Sequence, residues 1–166
     1  MNTTILADES SREKECRKHR LRAEIKHADS VGVHRLRRRL MSELMRWVDA
    51  DAASISVLLS SELLTNAMKH ARAPGGDRPD VALLALYGDG HLLIEVTDPD
   101  PRPPCPHQAG EDDENGRGFD LIDALATEWG VCCQAEGKTI WFTVAAQSVP
   151  SPSRGLVEDR PLSGAA

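Results

Sequence analysis

This sequence predicts an α/β (α+β) two-layer sandwich: a mainly antiparallel mixed sheet with helices on one face. Three observations lead there. Apolar residues recur at three- and four-residue steps over residues 31–48, and a second helical run covers 52–72. Two pairs of short apolar runs are each separated by turn-forming residues, which marks two β-hairpins. The order helix, helix, hairpin, long loop, helix, hairpin lets both hairpins share one sheet while the helices cover one of its faces.

Residues 1–24 are charged and lack a period, so they are predicted to be a disordered segment. The folded domain is expected over 25–146. In its first helix Val33, Leu36, Leu40, Leu44, Trp47 and Val48 make the apolar stripe, with arginines between them and Asp29 or Ser30 as N-cap. The second helix ends before the loop PGGDRP. VALLALY (81–87) and HLLIEV (91–96) form the first hairpin around Gly88, Asp89 and Gly90. A long loop from Asp98 to about Asn115 holds Pro99, Pro101, Pro103, Pro104 and Pro106, then the acidic EDDE. A loop of that length tends to be functional or disordered. Phe119, Ile122, Leu125, Ala126 and Trp129 lie at helical spacing in GRGFDLIDALATEWG. VCCQ and TIWFTVAA flank AEGK as the second hairpin. From Gln147 to Ala166 the chain is rich in Pro, Ser and Gly, and a disordered tail is predicted.

Composition narrows the class. The 166 residues are 40% hydrophobic and 28% charged, as in ordinary soluble domains. No apolar run approaches the roughly 18 residues that span a bilayer, and MNTTILADES is too polar and acidic for a signal peptide. A cytoplasmic protein with no membrane partner is expected. Cys16, Cys105, Cys132 and Cys133 show no metal-ligand spacing, so reduced structural thiols are expected. The net charge of −6 is uneven: residues 11–46 hold twelve Lys or Arg against five Asp or Glu, and residues 47–166 hold eight against nineteen. No aromatic interleaving or DNA-binding motif accompanies the basic part, so it reads as a solvated face or a docking surface for an acidic protein rather than a nucleic-acid site.

The stretch SELLTNAMKHA (61–71) carries the chemistry. At about 100° per residue, Ile55, Leu58, Leu59, Glu62, Asn66 and His70 share one face. An unpaired buried carboxylate is costly, so something polar must meet Glu62 and Asn66. Internal hydrogen bonds or a groove edge would answer. So would a site in which Asn66 offers its carbonyl oxygen to Mg²⁺ and Glu62 faces the reacting phosphate as a base.

The same stretch resembles the N-box of the Bergerat-fold ATP-binding proteins, the family of histidine kinases, gyrase-type ATPases and anti-sigma factor serine kinases. VTDPDPRPP (96–104) stands where the first glycine box belongs and NGRGFDLI (115–122) where the second belongs. GKTIWFTV (137–144) resembles the closing strand. The likeness covers roughly residues 25–145 and is strongest to short, single-domain proteins of the anti-sigma kinase type. It implies that Asn66 binds Mg²⁺ and that Glu62 is the general base. It implies that Asp98 accepts a hydrogen bond from the adenine amino group. Gly116 and Gly118 would let backbone N–H groups reach the phosphates, Arg117 a terminal phosphate, and Thr139 the adenine through a water. His70 is expected to be a packed or capping residue. The first glycine box departs from the family pattern, since Asp98-Pro99-Asp100-Pro101-Arg102 holds no glycine.

The resemblance implies an ATP- and Mg²⁺-dependent serine/threonine protein kinase of the anti-sigma factor type, able to homodimerise. Its partners would be a sigma factor and a small antagonist (STAS-type) protein phosphorylated on serine. The alternative is a nucleotide-sensing module that sequesters a partner without phosphorylating it.

Overall fold

The structure is a computed structural model and describes residues 19–71, 74–104 and 117–150. In chain order the elements are strand β1 (His19–Ile25), helices α1 (Ser30–Trp47) and α2 (Ala50–His70), and a 3₁₀ turn (Pro74–Gly76). Strands β2 (Val81–Gly88) and β3 (His91–Asp98), helix α3 (Arg117–Leu125), and strands β4 (Glu128–Gln134) and β5 (Gly137–Ala145) complete the fold. The strands form one sheet in the order β1-β2-β3-β5-β4, and every pairing is antiparallel. The helices pack against one face, which is the expected two-layer sandwich.

Helices α1 and α2 each begin where an aspartate side chain replaces a missing helical bond. Asp29 accepts from the Gly32 N–H at 2.7 Å and Asp49 from the Ala52 N–H at 3.0 Å. Helix α1 buries Val33, Leu36, Leu40, Leu44 and Trp47, one stripe at helical spacing. Leu40 and Leu44 are fully buried, each contributing about 2 kcal/mol by removal of apolar surface from water. Helix α2 is buried on more than one side, between α1, α3 and the sheet. Ser60 and Ser61 tolerate that position because their hydroxyls donate to the Ser56 and Val57 carbonyls one turn back.

Across the sheet, Leu21, Ala85, Ile94, Phe142 and Trp129 lie directly opposite one another, a row facing the helices. Asp89 and Gly90, at φ 47° and 77°, close the β2–β3 hairpin as a primed turn that matches strand twist.

Three expectations change. Residues 19–24, expected to be disordered, belong to β1. Its Leu21, Ala23 and Ile25 alternate with charged Arg20, Arg22 and Glu24, a half-buried edge strand whose charges mask its period. His19 stacks on Trp47 and Tyr87, with ring centroids 5.3 and 6.1 Å away. Trp129 is on β4 rather than in the helix. The last helical bond is Ala126 N–H to Ile122, and Thr127 already donates to Thr143. The Trp129 indole still meets the helix, donating to Asp123 at 2.6 Å and packing on Phe119. Finally, the tail does not begin at Gln147. Gln147 exchanges hydrogen bonds with Asp49, and Val149 donates to Trp47. Residues 1–18 and 151–166 lie outside the described residues.

Asp49 therefore has two tasks, capping α2 and holding the strand exit. The backbone N–H groups of Ala52 and then Gln147 hold its carboxyl below its ordinary value of 3.8. A depressed value contributes stability above that pH, which is lost as pH falls through the folded-state value. Asp49→Ala is expected to lower unfolding stability by about 1–2 kcal/mol in urea at neutral pH. The difference from the parent should shrink below about pH 4, and an unchanged gap there would refute the assignment.

Candidate functional site

Two pairs of segments come together: the second half of α2 with the start of α3, and the end of β3 with the start of β5. Helix α2 also packs on β3 and β5. Glu62 and Asn66 lie one turn apart on α2, both half-buried. Gly118, the second residue of α3, is buried against them. A methyl group on its Cα would stand 3.0 Å from Asn66 Nδ2 and 3.6 Å from Glu62 Cβ. A side chain at 118 would fill the space between the two helices, so glycine keeps the approach close. Arg117 opens α3. Gly116 and the acidic EDDE lie outside the described residues.

Asp98 ends β3 with only 4% of its side chain exposed. The glycine-free box beyond it holds its shape through proline and paired aspartates. Proline at 99, 101 and 103 fixes φ and removes N–H donors. The N–H groups of Asp100 and Arg102 remain between them. Each is accepted by the aspartate two residues earlier: Asp100 N–H by Asp98 Oδ1 at 2.9 Å, and Arg102 N–H by Asp100 Oδ1 at 3.1 Å. These successive side-chain turns supply rigidity where glycines would supply freedom. The Arg102 guanidinium closes on the same Asp100 carboxylate.

Residue 137 must be glycine for a second reason. Its φ is 156°, and a Cβ there would lie 2.2 Å from the Asp98 carbonyl oxygen and 3.0 Å from Pro99 Cα. The first box thus crosses directly over the start of β5.

Thr139 is not brought to the site. Strand alternation puts it on the face away from the helices, where its hydroxyl lies 2.8 Å from that of Thr97. The side chain opposite Asp98 is Lys138, which the motif reading passed over. The signal was present: Ile140, Phe142 and Val144 are buried, so 138 shares their face. His70 is exposed in the last turn of α2 rather than packed. Cys132 and Cys133 are free thiols on β4.

Among the described residues, no group of three or more His, Cys, Asp or Glu side chains is placed to hold a metal ion. A cation beside Asn66 would thus need ligand oxygens from elsewhere, as Mg²⁺ held by one protein oxygen plus phosphates and water does. No described helix is long and apolar enough to cross a membrane. A groove of 410 Å³ lies elsewhere, between β1 and α1, lined by Ala23, Ile25, Arg35 and Arg39 among others. It contains none of the site residues.

Comparison with known proteins identifies the fold and the family. Residues 27–144 match the family described as the histidine kinase-like ATPase domain. An uncharacterized protein of Streptomyces coelicolor is 44% identical over 73 residues, which cover 43% of this chain and 67% of that protein. The crystal structure of the RsbU and RsbW domains of Rv1364c from Mycobacterium tuberculosis aligns with 81% of this chain at a TM-score of 0.56 and 24% identity. That alignment spans 34% of the Mycobacterium chain, so it speaks to the shared fold. With the match running through every element from α1 to β5, the chain belongs to the histidine kinase-like ATPase domain family.

Proposed function

We propose that this protein is an ATP-dependent regulatory protein kinase of the anti-sigma factor type, which transfers the γ-phosphate of ATP to a serine of a small antagonist protein. The observation that carries the reading is the convergence of Glu62, Asn66 and Gly118, with buried Asp98 at the end of the neighbouring strand. Asp98 would accept the adenine amino group. The N-terminal turn of α3, with Arg117 and Gly118, would receive phosphate oxygens on backbone N–H groups, where the helix dipole favours anions, and Gly116, the preceding residue in the sequence, would do the same. Asn66 would hold Mg²⁺ through its carbonyl oxygen. When bound, Mg²⁺ neutralises charge on the β- and γ-phosphates. Glu62 would orient the serine hydroxyl and take its proton. The serine Oγ–phosphorus bond forms as the bond from phosphorus to the β–γ bridging oxygen breaks, and ADP leaves. The exposed arginines of α1, Arg35, Arg37, Arg38 and Arg39, suit an acidic partner surface such as that of a sigma factor or antagonist.

Calorimetric titration of Mg·ATP into the wild type and Asp98→Asn, with GTP as control, tests the base site. Saturable ATP binding is expected. It should fall at least about tenfold in the variant and fail with GTP. Equal affinity for ATP and GTP would overturn the reading.

A further inference from the structure

Lys138 is the least expected residue at this site. It sits on β5 directly across from Asp98, facing the helices, and its side chain is 10% exposed. Lysine is almost never that deeply buried unless paired. Its Nζ donates to Asp98 Oδ1 at 2.9 Å and to the Asp100 backbone carbonyl at 3.2 Å. Asp98 Oδ1 also accepts from the Asp100 N–H. Both of these hydrogen bonds to the Asp98 carboxylate fall on the same oxygen, and neither falls on Oδ2.

We infer that Lys138 is a positioning and specificity-determining residue for base recognition: it pins Asp98 through Oδ1 and so presents Oδ2 as the acceptor for the exocyclic amino group of adenine. The inference rests on the reading of Asp98 as the adenine acceptor. The physics needs such a partner. A carboxylate 4% exposed is costly unless a cation and hydrogen bonds compensate it. A carboxylate held by one oxygen cannot turn its other oxygen away. The ammonium contributes a fixed charge, and the Asp100 carbonyl and Asp98 carboxylate fix the ammonium in turn. The same network ties the rigid Asp-Pro segment to β5, so base recognition and the shape of the first box depend on one lysine. A purine with a carbonyl at position 6 meets the pinned acceptor with its own lone pairs and is rejected.

The test compares Mg·ATP, Mg·GTP and the Mg complex of a purine ribonucleoside triphosphate that lacks any group at position 6. Affinities are measured for the wild type, Lys138→Met, Lys138→Arg and Asp98→Asn. In the wild type ATP should bind about tenfold more tightly than the unsubstituted purine. Lys138→Met should lose that preference while the unsubstituted purine binds within about threefold of its wild-type affinity. Lys138→Arg, which keeps the charge and a donor, should restore most of the preference. Lys138→Gln, which keeps a donor without the charge, serves the same comparison if the methionine variant does not fold.

Parallel loss of both nucleotides would mean a merely structural lysine and would overturn the inference. So would a Lys138→Met protein that keeps the preference while Asp98→Asn loses it, and in that case the adenine reading stands. If Asp98→Asn also keeps the preference, the adenine reading itself fails. A wild type that prefers GTP would mean that Lys138, not Asp98, faces the base.

Discussion

Gly137→Ala is expected to destabilise the domain by on the order of 3 kcal/mol and to abolish measurable ATP binding. The added Cβ would lie 2.2 Å from the Asp98 carbonyl oxygen. That atom is backbone, so no rotamer change relieves the contact. The φ of 156° adds strain that glycine alone escapes. Relief requires β5 and the Asp98–Pro99 segment to move apart. That movement breaks the Lys138–Asp98 pair, whose members lie in the two separating strands. Urea unfolding reads the first effect and calorimetry the second. By contrast, Gly75 and Gly76 also have positive φ, yet a Cβ at either meets nothing within 4 Å. Substitution there should cost about 1 kcal/mol, from backbone strain alone. Equal losses at 137 and 75 would show that the crossing of the first box over β5 is not what requires glycine.

Glu62→Gln is expected to lower phosphoryl transfer about 10²–10⁴-fold while leaving Mg·ATP affinity within about threefold of the parent. Glutamine keeps the shape and the half-buried position on α2 but cannot take a proton. Fluorescence titration with ATP checks the binding. Single-turnover transfer of labelled γ-phosphate to the antagonist protein checks the chemistry. This variant separates the kinase reading from a nucleotide-sensing module. Unchanged partner regulation together with unchanged transfer would sink the kinase reading, because the carboxylate nearest Gly118 would then have no chemical task.

Local information in the sequence reached far. The stripe Val33, Leu36, Leu40, Leu44, Trp47 identifies α1, and the stripe is buried as its spacing requires. Apolar runs around Asp89-Gly90 identify a hairpin, since positive φ at both positions selects those residues. Glu62 and Asn66 could be paired from spacing alone because a helix puts every fourth residue on one face. These features depend on a few neighbouring positions.

Tertiary structure decided the rest. Strand β1 has little identity of its own, and β2 makes it a strand by supplying hydrogen bonds along its whole length. Whether Lys138 or Thr139 meets Asp98 depends on parity, and a shift of one residue exchanges every side chain between faces. Motif matching favoured the threonine, but the sheet register put the lysine opposite the aspartate. Gly118 shows the same division. Its sequence context marks a helix start, but only the packing of α3 on α2 brings Asn66 within 3.0 Å of where its Cβ would be. Sequence by itself determined the elements and the chemical types available to the site, because periodicity and turn chemistry act over a few residues. Register, helix packing and the crossing of the first box over β5 determined which of those groups meet, because contacts between distant segments exist only once the chain is folded.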